Sequence, residues 1–217
     1  MGNKIEVKNA IKRYGKKEVL KNVNLNVEEG TICGIVGRNG SGKTVLFKCI
    51  CGISKLTEGE ILIDGRKAGG NYDIVNQIGC IIETPGFLQQ FSGYRNLKLL
   101  SDINRKIGKK EIYETIQKVG LEPKSRKKVG KYSLGMRQRL AIAQAIMENP
   151  SILVLDEPMN GLDNHGVEDI RRLLLEIKEK GRTILIASHN REDIEVLCDV
   201  VYEMDDGILS LKKTFEV

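Results

Sequence analysis

The hydrophobic positions change from alternation to compact runs along the chain. The segments "KIEVKNAIKRY" and "VLKNVNLNVEEG" place apolar residues at alternate positions, which predicts two half-buried strands joined by a turn at Gly15. The runs "TICGIV", "SILVLD" and "TILIAS" have the length and composition of buried strands. Helix-length segments separate these runs. We therefore predict an α/β fold with a parallel sheet and an antiparallel strand layer in front of it.

The segment between about residues 84 and 150 has a different character. It contains helix-forming runs such as "IYETIQKV" and "SLGMRQRLAIAQAIME". Further along, a helix is predicted over Val167 to Lys180, a short helix from Arg191, and a closing hairpin in "VVYEMDDGILSLKK". The pattern therefore predicts a helical insert within a single α/β domain.

Composition and charge restrict the location and the partners. The 217 residues carry a net charge of +6, which favours nucleic acid, anionic lipid or nucleotide phosphate as a partner, with a solvated lysine-rich surface as the alternative. No stretch approaches the roughly 20 apolar residues of a membrane span, and the N-terminus lacks the apolar core of a signal peptide. We expect a cytoplasmic protein whose five cysteines are packing thiols.

The segment "GRNGSGKT" has the G-x-x-x-x-G-K-[ST] pattern of a P-loop, between a predicted strand and a predicted helix. Its glycines let backbone N–H groups approach phosphate oxygens, and the helix N-terminus adds partial positive charge. We expect Lys43 to bind the β- and γ-phosphates and Thr44 to bind Mg²⁺. The predicted nucleotide contacts are Gly37, Arg38, Asn39, Gly40, Ser41, Gly42, Lys43, Thr44 and Val45.

Polar side chains end two of the predicted strands. Asp156 closes "SILVLD" where a Mg²⁺ ligand belongs, and Glu157 follows it. Neighbours on an extended chain point to opposite sides, so Glu157 is expected to reach an attacking water. His189 follows "TILIAS" and is a candidate to contact the γ-phosphate, whereas His165 is interpreted as an ordinary surface residue.

The segment "YSLGMRQRLAIAQAIMENPSILVLDEPMNGLD", together with the P-loop, closely resembles the ATP-binding subunit of ABC transporters. Residues 132–136 correspond to the family's signature loop, residues 160–163 to its D-loop, and His189 to its switch histidine. Tyr14 corresponds to the aromatic residue that stacks on adenine. The resemblance implies ATP and Mg²⁺ as cofactors, ATP hydrolysis, and an integral membrane permease that holds the subunit at the cytoplasmic face of the cell membrane.

The resemblance also implies a second ATPase subunit, either an identical or a related chain. Two such subunits close head to tail over two ATP molecules, and Ser133 and Gly135 of one chain then contact the γ-phosphate held by the other. This sequence departs from the family at Leu134 and Met136, which predicts a less polar cap. It also departs at Val45, where the usual hydroxyl near the α-phosphate is lost.

Glu83 follows the apolar run Ile78 to Ile82, in "IETPGF". Most ABC ATPases have glutamine here, and the glutamate resembles the bacitracin- and lantibiotic-type subgroup, whose transporters export antimicrobial peptides. We predict that Glu83 contacts Mg²⁺ or the attacking water. A solvated acidic residue at the start of a loop is the alternative.

The resemblance covers essentially all of residues 1–217 and implies two parts within this single domain. Residues 1–83 and 151–217 would form the catalytic core with its β layer, and residues 84–150 the helical signature subdomain.

A soluble ABC-type ATPase acting on nucleic acid or the ribosome is the alternative function. The chain has no room for the second cassette or long coiled coil usual there, so no nucleic acid is expected. A GTPase is disfavoured, because the Asn160–Asp163 segment follows Asp156 too closely to recognise guanine.

Overall fold

The computed structural model describes residues 2–68, 76–83 and 86–214. An antiparallel sheet has the strand order β2-β1-β4-β5, and a second, larger sheet has the order β10-β9-β3-β8-β7-β6. The strands of the first sheet are β1 (Asn3–Tyr14), β2 (Lys17–Glu28), β4 (Glu58–Ile63) and β5 (Arg66–Lys67). Those of the second are β3 (Ile32–Val36), β6 (Ile78–Ile81), β7 (Ile152–Asp156), β8 (Thr183–Ala187), β9 (Val200–Asp205) and β10 (Ile208–Thr214).

The second sheet is parallel from β9 through β3, β8 and β7 to β6, and β10 joins its edge as an antiparallel hairpin partner of β9. This arrangement confirms the predicted fold class. The helices of the described segments are α1 (Lys43–Ile50), α2 (Gly93–Asn104), α3 (Lys109–Lys118), α4 (Leu134–Ile146), α5 (Asn164–Glu179) and α6 (Arg191–Leu197).

Side chains of the parallel strands alternate between two hydrophobic cores. Leu153 and Leu155 of β7 belong to the core formed with the longer helices, whereas Ile152 and Val154 belong to the core formed with the first sheet and α1. Because both faces of the strand are covered, the whole run is apolar. That double burial is why "SILVLD" has no polar alternation before Asp156.

The predicted start of one helix was wrong. The helix expected to begin at Val167 begins at Asn164, as α5, because Asp163 caps it. The Asp163 carboxylate accepts a hydrogen bond of 2.8 Å from the backbone N–H of Gly166, which satisfies a donor that the first helical turn leaves without a partner.

Helices α2, α3 and α4 lie between β6 and β7 in the chain, as the insert was predicted to do. Helix α4 approaches β6 closely, since a Cβ atom at Gly79 would lie 1.9 Å from the carbonyl oxygen of Ala145. The division of the chain into a catalytic core and a helical subdomain stays a prediction, and Thr84 and Pro85 at its boundary lie outside the described residues. In the described ranges no helix combines the length and the apolar character needed to cross a membrane.

Candidate nucleotide-binding and catalytic site

The P-loop connects β3 to α1 with a backbone that only glycine accommodates well. Gly37, Gly40 and Gly42 have φ values of 152°, 79° and 117°, a region that side chains with a Cβ atom rarely adopt. A Cβ atom at Gly37 would also lie 2.2 Å from the carbonyl oxygen of Met204 in β9. The loop therefore folds against β9 and bends sharply before the helix starts.

Lys43 begins α1, and its side chain turns back into the loop. Its Nζ donates hydrogen bonds to the carbonyl oxygens of Gly37 at 2.7 Å and Arg38 at 3.1 Å. The residue is 7% exposed, so these carbonyls supply the partners that a mostly buried ammonium group requires. A cation is thus held at the centre of the loop, at the N-terminal end of a helix.

Thr44 and Asp156 form the closest polar contact between the P-loop helix and β7. The Thr44 hydroxyl donates a hydrogen bond of 2.6 Å to Oδ2 of Asp156. A hydroxyl and a carboxylate at this separation fit Mg²⁺, which takes one or two protein oxygens and completes its shell with phosphates and water. Across the described part of the chain, no cluster of three or more His, Cys, Asp or Glu could hold a metal by itself.

Glu157 follows β7 in a left-handed conformation, with φ of 51°. The expected reason for its direction, an extended chain, was therefore wrong: a turn sets the direction of the Glu157 side chain. Its backbone N–H donates to the carbonyl of Ala187 in β8 at 2.9 Å, and its Oε2 lies 2.7 Å from Nδ1 of His189. The two residues that follow these strands are thus in contact, which was not predicted.

Gln138 of α4 holds the chain after Glu157 from the other side. Its Nε2 donates to the carbonyl oxygens of Pro158 at 2.9 Å and Glu157 at 3.4 Å. Gln138 was not predicted as part of the site, because a glutamine on a helical face carries no signal of its partner. Its distance from Glu157 in the chain made the contact unpredictable by spacing.

Glu83 lies beside this group, because β6 pairs in parallel with β7 and places Ile81 opposite Leu155. Two residues beyond that pair, Glu83 has φ of 61°. Its Oε1 accepts a hydrogen bond of 2.7 Å from Nζ of Lys48 in α1. Lys48 was also missed, although it lies one helical turn after Thr44. The predicted contact of Glu83 with Mg²⁺ or water stays a prediction.

A pocket of about 540 Å³ lies between the P-loop and the start of α4. We call it the P-loop pocket. The charged groups in its lining are three carboxylates and two cations, those of Lys43 and Arg137. Its lining residues are Val19, Asn39, Gly40, Gly42, Lys43, Thr44, Val45, Glu83, Leu134, Arg137, Gln138, Asp156, Glu157 and Asn160.

Seven of the predicted site residues lie outside this lining: Tyr14, Gly37, Arg38, Ser41, Ser133, Gly135 and His189. Of these, Gly37, Arg38 and His189 line a second cleft. Ser41 is buried, and its hydroxyl has no hydrogen-bond partner among the described residues. The structure thus separates the P-loop into residues that line the P-loop pocket and residues that do not.

Ser133 and Gly135 lie at the beginning of α4. The Ser133 hydroxyl accepts a hydrogen bond of 3.2 Å from the N–H of Met136 and caps the helix. A Cβ atom at Gly135 would lie 2.9 Å from the carbonyl oxygen of Gly161, so the predicted D-loop packs against the signature loop. Ser133 is exposed, and its predicted contact with a partner's nucleotide stays a prediction.

Tyr14 ends β1 and is 52% exposed, with Nζ of Lys12 at 4.9 Å from the centre of its ring. It does not line the P-loop pocket. Its predicted stacking on adenine also stays a prediction. His165 is exposed and pairs with Asp169 on the same helix, in agreement with its interpretation as a surface residue.

Comparison with known proteins identifies the family. Residues 20–160 match the ABC transporter family model. The chain is 45% identical to an uncharacterized ABC transporter ATP-binding protein, YybJ of Bacillus subtilis, with 94% of both chains covered. It is 41% identical to the bacitracin transport ATP-binding protein BcrA of Enterococcus faecalis, over 94% of this chain and 67% of that protein. It is 35% identical to the lantibiotic transport ATP-binding protein SrtF of Streptococcus pyogenes, over 98% and 91%.

Solved structures agree with these relatives. A dimer of the ATP-binding cassette MJ0796 in a post-hydrolysis state, bound to ADP and Pi, superposes with a TM-score of 0.89 at 27% identity, covering 98% of this chain and 99% of that chain. The predicted resemblance, including the bacitracin and lantibiotic relatives, is confirmed. The chain belongs to the ABC transporter family and is an ATP-binding subunit of it, an ATP hydrolase.

Proposed function

We propose that this subunit powers the export of an antimicrobial peptide or antibiotic through a separate membrane permease. The observation that carries the catalytic part is that Thr44 of α1 meets Asp156 and Glu157 in the lining of the P-loop pocket, while His189 contacts Glu157 from the end of the next strand. Together with Lys43 of the same pocket, this set has the parts that phosphoryl transfer to water requires: a cation, a metal site and a group that positions water.

Each residue of the set has a role in this proposal. Lys43 moves from its loop carbonyls to the β- and γ-phosphates. Glu157 positions or deprotonates the attacking water, which adds to the phosphorus as the bond to the ADP oxygen breaks. His189 orients the Glu157 carboxylate through Nδ1, which leaves its other ring nitrogen for the γ-phosphate. The remaining predicted loop contacts, from Gly37 to Val45, bind the phosphates.

Mg²⁺ would be held by Thr44 and Asp156, whose oxygens already lie within hydrogen-bond distance of each other. Glu83 is the third candidate ligand, directly or through water. When bound, the ion neutralises charge on the β- and γ-phosphates. Because the protein offers so few oxygens, metal and nucleotide are expected to bind together.

The functional unit in this proposal is a pair of ATPase subunits. The Ser133 cap leaves the N-terminal end of α4 at the surface, where its N–H groups favour an anion. Ser133 and Gly135 of one chain would therefore complete the nucleotide site of the other. The dimeric state of the solved MJ0796 cassette supports this arrangement.

The permease and the transported compound are supported by the relatives. BcrA and SrtF are ATP-binding proteins of bacitracin transport and lantibiotic transport, and Glu83 and the variant signature loop of residues 132–136 are the features of this chain that resemble their subgroup. Binding to a permease would place the chain at the cytoplasmic face of the membrane. We do not assign a nucleic acid partner.

Light scattering tests the paired site. Glu157→Gln protein should be a monomer alone and a dimer with ATP and Mg²⁺, because bound ATP is not consumed. Adding Ser133→Asp should prevent the dimer, since aspartate preserves the helix cap but meets the γ-phosphate with a negative charge. Ser92→Asp is the matched control, because Ser92 caps α2 in the same way. A dimer that persists with Ser133→Asp would contradict the paired site.

Antibiotic susceptibility tests the substrate. Cells of the source organism in which Glu157→Gln replaces the wild-type chain should become more sensitive to bacitracin or to a lantibiotic. Sensitivity to an unrelated antibiotic, such as a fluoroquinolone, should not change. Unaltered susceptibility to both peptide classes would overturn the substrate assignment while leaving the ATPase assignment intact.

A further inference from the structure

The P-loop pocket combines a site for a polyphosphate with three carboxylates, those of Glu83, Asp156 and Glu157. Two of them have partners in the site: Asp156 accepts a hydrogen bond from Thr44, and Glu157 pairs with His189. Among the described residues, Glu83 forms no hydrogen bond with a threonine hydroxyl or a histidine; its partner is Lys48. Its negative charge would repel a triphosphate unless a cation fixes and offsets it.

Lys48 supplies that cation. Its Nζ lies 2.7 Å from Oε1 of Glu83, and the two side chains are 28% and 63% exposed. Lys48 does not line the P-loop pocket itself, but it contacts Glu83, which does. It also lies four residues after Thr44 on α1, which places both residues on one helical face.

The backbone conformation of Glu83 also restricts where its carboxylate can lie. Its φ of 61° is unusual for a residue with a side chain. The turn, two residues beyond the Ile81–Leu155 pair, directs the chain beside Asp156 and Glu157. An unrestrained carboxylate at this place could turn directly against the phosphates; the ion pair holds it beside α1, where it would reach Mg²⁺ through water.

We infer that Lys48 is a positioning residue for nucleotide binding, which acts by holding the Glu83 carboxylate against the P-loop helix. This inference rests on the proposed function of the pocket. It connects two segments beside the proposed nucleotide site: α1, which starts with Lys43 and Thr44, also restrains Glu83, two residues after β6.

The test is a double-mutant cycle read by equilibrium binding of ATP with Mg²⁺. Lys48→Gln should weaken binding about fivefold, the upper range for a partly exposed ion pair. In a Glu83→Gln background, the same Lys48→Gln change should leave the affinity unaltered, because the residue through which Lys48 acts no longer carries charge. Lys48→Arg should retain near wild-type affinity, and the Lys48→Gln effect should be smaller for ADP, which carries less negative charge.

The matched control is Lys98→Gln, which breaks the Lys98–Asp102 pair on α2, away from the pocket. It should not change ATP affinity. Equal weakening by Lys48→Gln in both backgrounds, or none in either, would overturn the inference. Failure of the wild-type chain to bind ATP would instead reject the proposed function of the pocket, so the two failures are distinguishable.

Discussion

Glu157 and His189 face each other across the ends of two neighbouring strands, with Nδ1 of the imidazole 2.7 Å from Oε2 of the carboxylate. The backbone N–H of His189 also points at Oε2, at 3.4 Å. The contact depends on the left-handed turn at Glu157, which carries its side chain toward β8. One carboxylate oxygen is thereby oriented by groups of the protein itself.

Replacing Glu157 by glutamine should lower the ATP hydrolysis rate by about 10²–10⁴, the usual contribution of a general base. ATP affinity should stay within a few-fold of wild type, because the shape of the side chain is preserved. Steady-state phosphate release and nucleotide binding measure the two quantities. Glu179→Gln, at the exposed end of α5, is the control; a Glu157→Gln enzyme with wild-type turnover would refute the role.

His189→Ala should slow hydrolysis by roughly 10-fold to 100-fold, because a hydrogen bond to a charged group contributes about 1.5–3 kcal/mol. The loss should appear in kcat, with little change in the ATP concentration that gives half the maximal rate. His165→Ala removes the other histidine, which is paired only on the surface of α5, and should leave turnover unchanged. Equal effects of the two substitutions would contradict the assignment.

A buried ion pair supports the segment that carries His189. Asp193 is 1% exposed and accepts hydrogen bonds from Nε and Nη2 of Arg171 at 2.9 and 2.6 Å. Its other oxygen accepts a hydrogen bond of 3.1 Å from Ser188, the residue before His189. The free energy of unfolding should fall by about 3–5 kcal/mol on Arg171→Met, because a buried charge is left without its partner.

Urea denaturation measures this loss. Arg191→Met is the matched control, since its pair with Glu195 is exposed and should contribute no more than about 1 kcal/mol. Similar destabilisation by the two arginine substitutions would show that burial does not govern the Arg171 pair.

Gly79→Ala should destabilise the fold by about 1–3 kcal/mol or more, because the added methyl group meets the backbone of Ala145 and the ring of Pro150. Neither group is a flexible side-chain end, so β6 and α4 must separate. The denaturation midpoint measures the cost. Gly2→Ala, which meets nothing within 4 Å, should have no effect; a tolerated Gly79→Ala would show that α4 can move away from the sheet.

Cys80 should be the first thiol to react with iodoacetamide. A hydrogen bond from Cys51 lowers the pKa of Cys80, whereas burial raises the pKa of Cys33 and raises that of Cys198 to about 12. The thiolate is the reactive form, so Cys80 labelling should reach half its maximal rate below the ordinary cysteine pKa of about 8.5.

Mass spectrometry of the labelled peptides, followed across pH, checks this order. Cys51→Ala removes the donor and should raise the pKa of Cys80, which slows labelling at neutral pH. If Cys51→Ala leaves the labelling profile unchanged, the hydrogen bond is not the cause.

The order of strands and helices could be predicted from hydrophobic periodicity, and the P-loop and "SILVLDEP" from motif chemistry. These features are local, so neighbouring residues contain the information. The start of α5 was misplaced because the helix pattern begins after its cap, and only the Asp163 side chain marks the true boundary.

The contacts across the site could not be predicted in the same way. Lys48 meets Glu83, and Gln138 meets the carbonyl of Pro158, only after the sheet and helices have packed. The left-handed backbone of Glu157 was also missed, since glutamate does not favour it. Tertiary packing imposes it, and no local propensity signals it.

The two hydrogen bonds from Lys43 to its own loop bear on the end of the catalytic cycle. A mostly buried ammonium group that lost its phosphate partners would face a large desolvation cost. Here two carbonyl oxygens are within reach, so we expect the cation to exchange partners when product departs. Release of ADP and phosphate would then leave no buried charge without a partner, and the loop would keep the shape that accepts the next nucleotide.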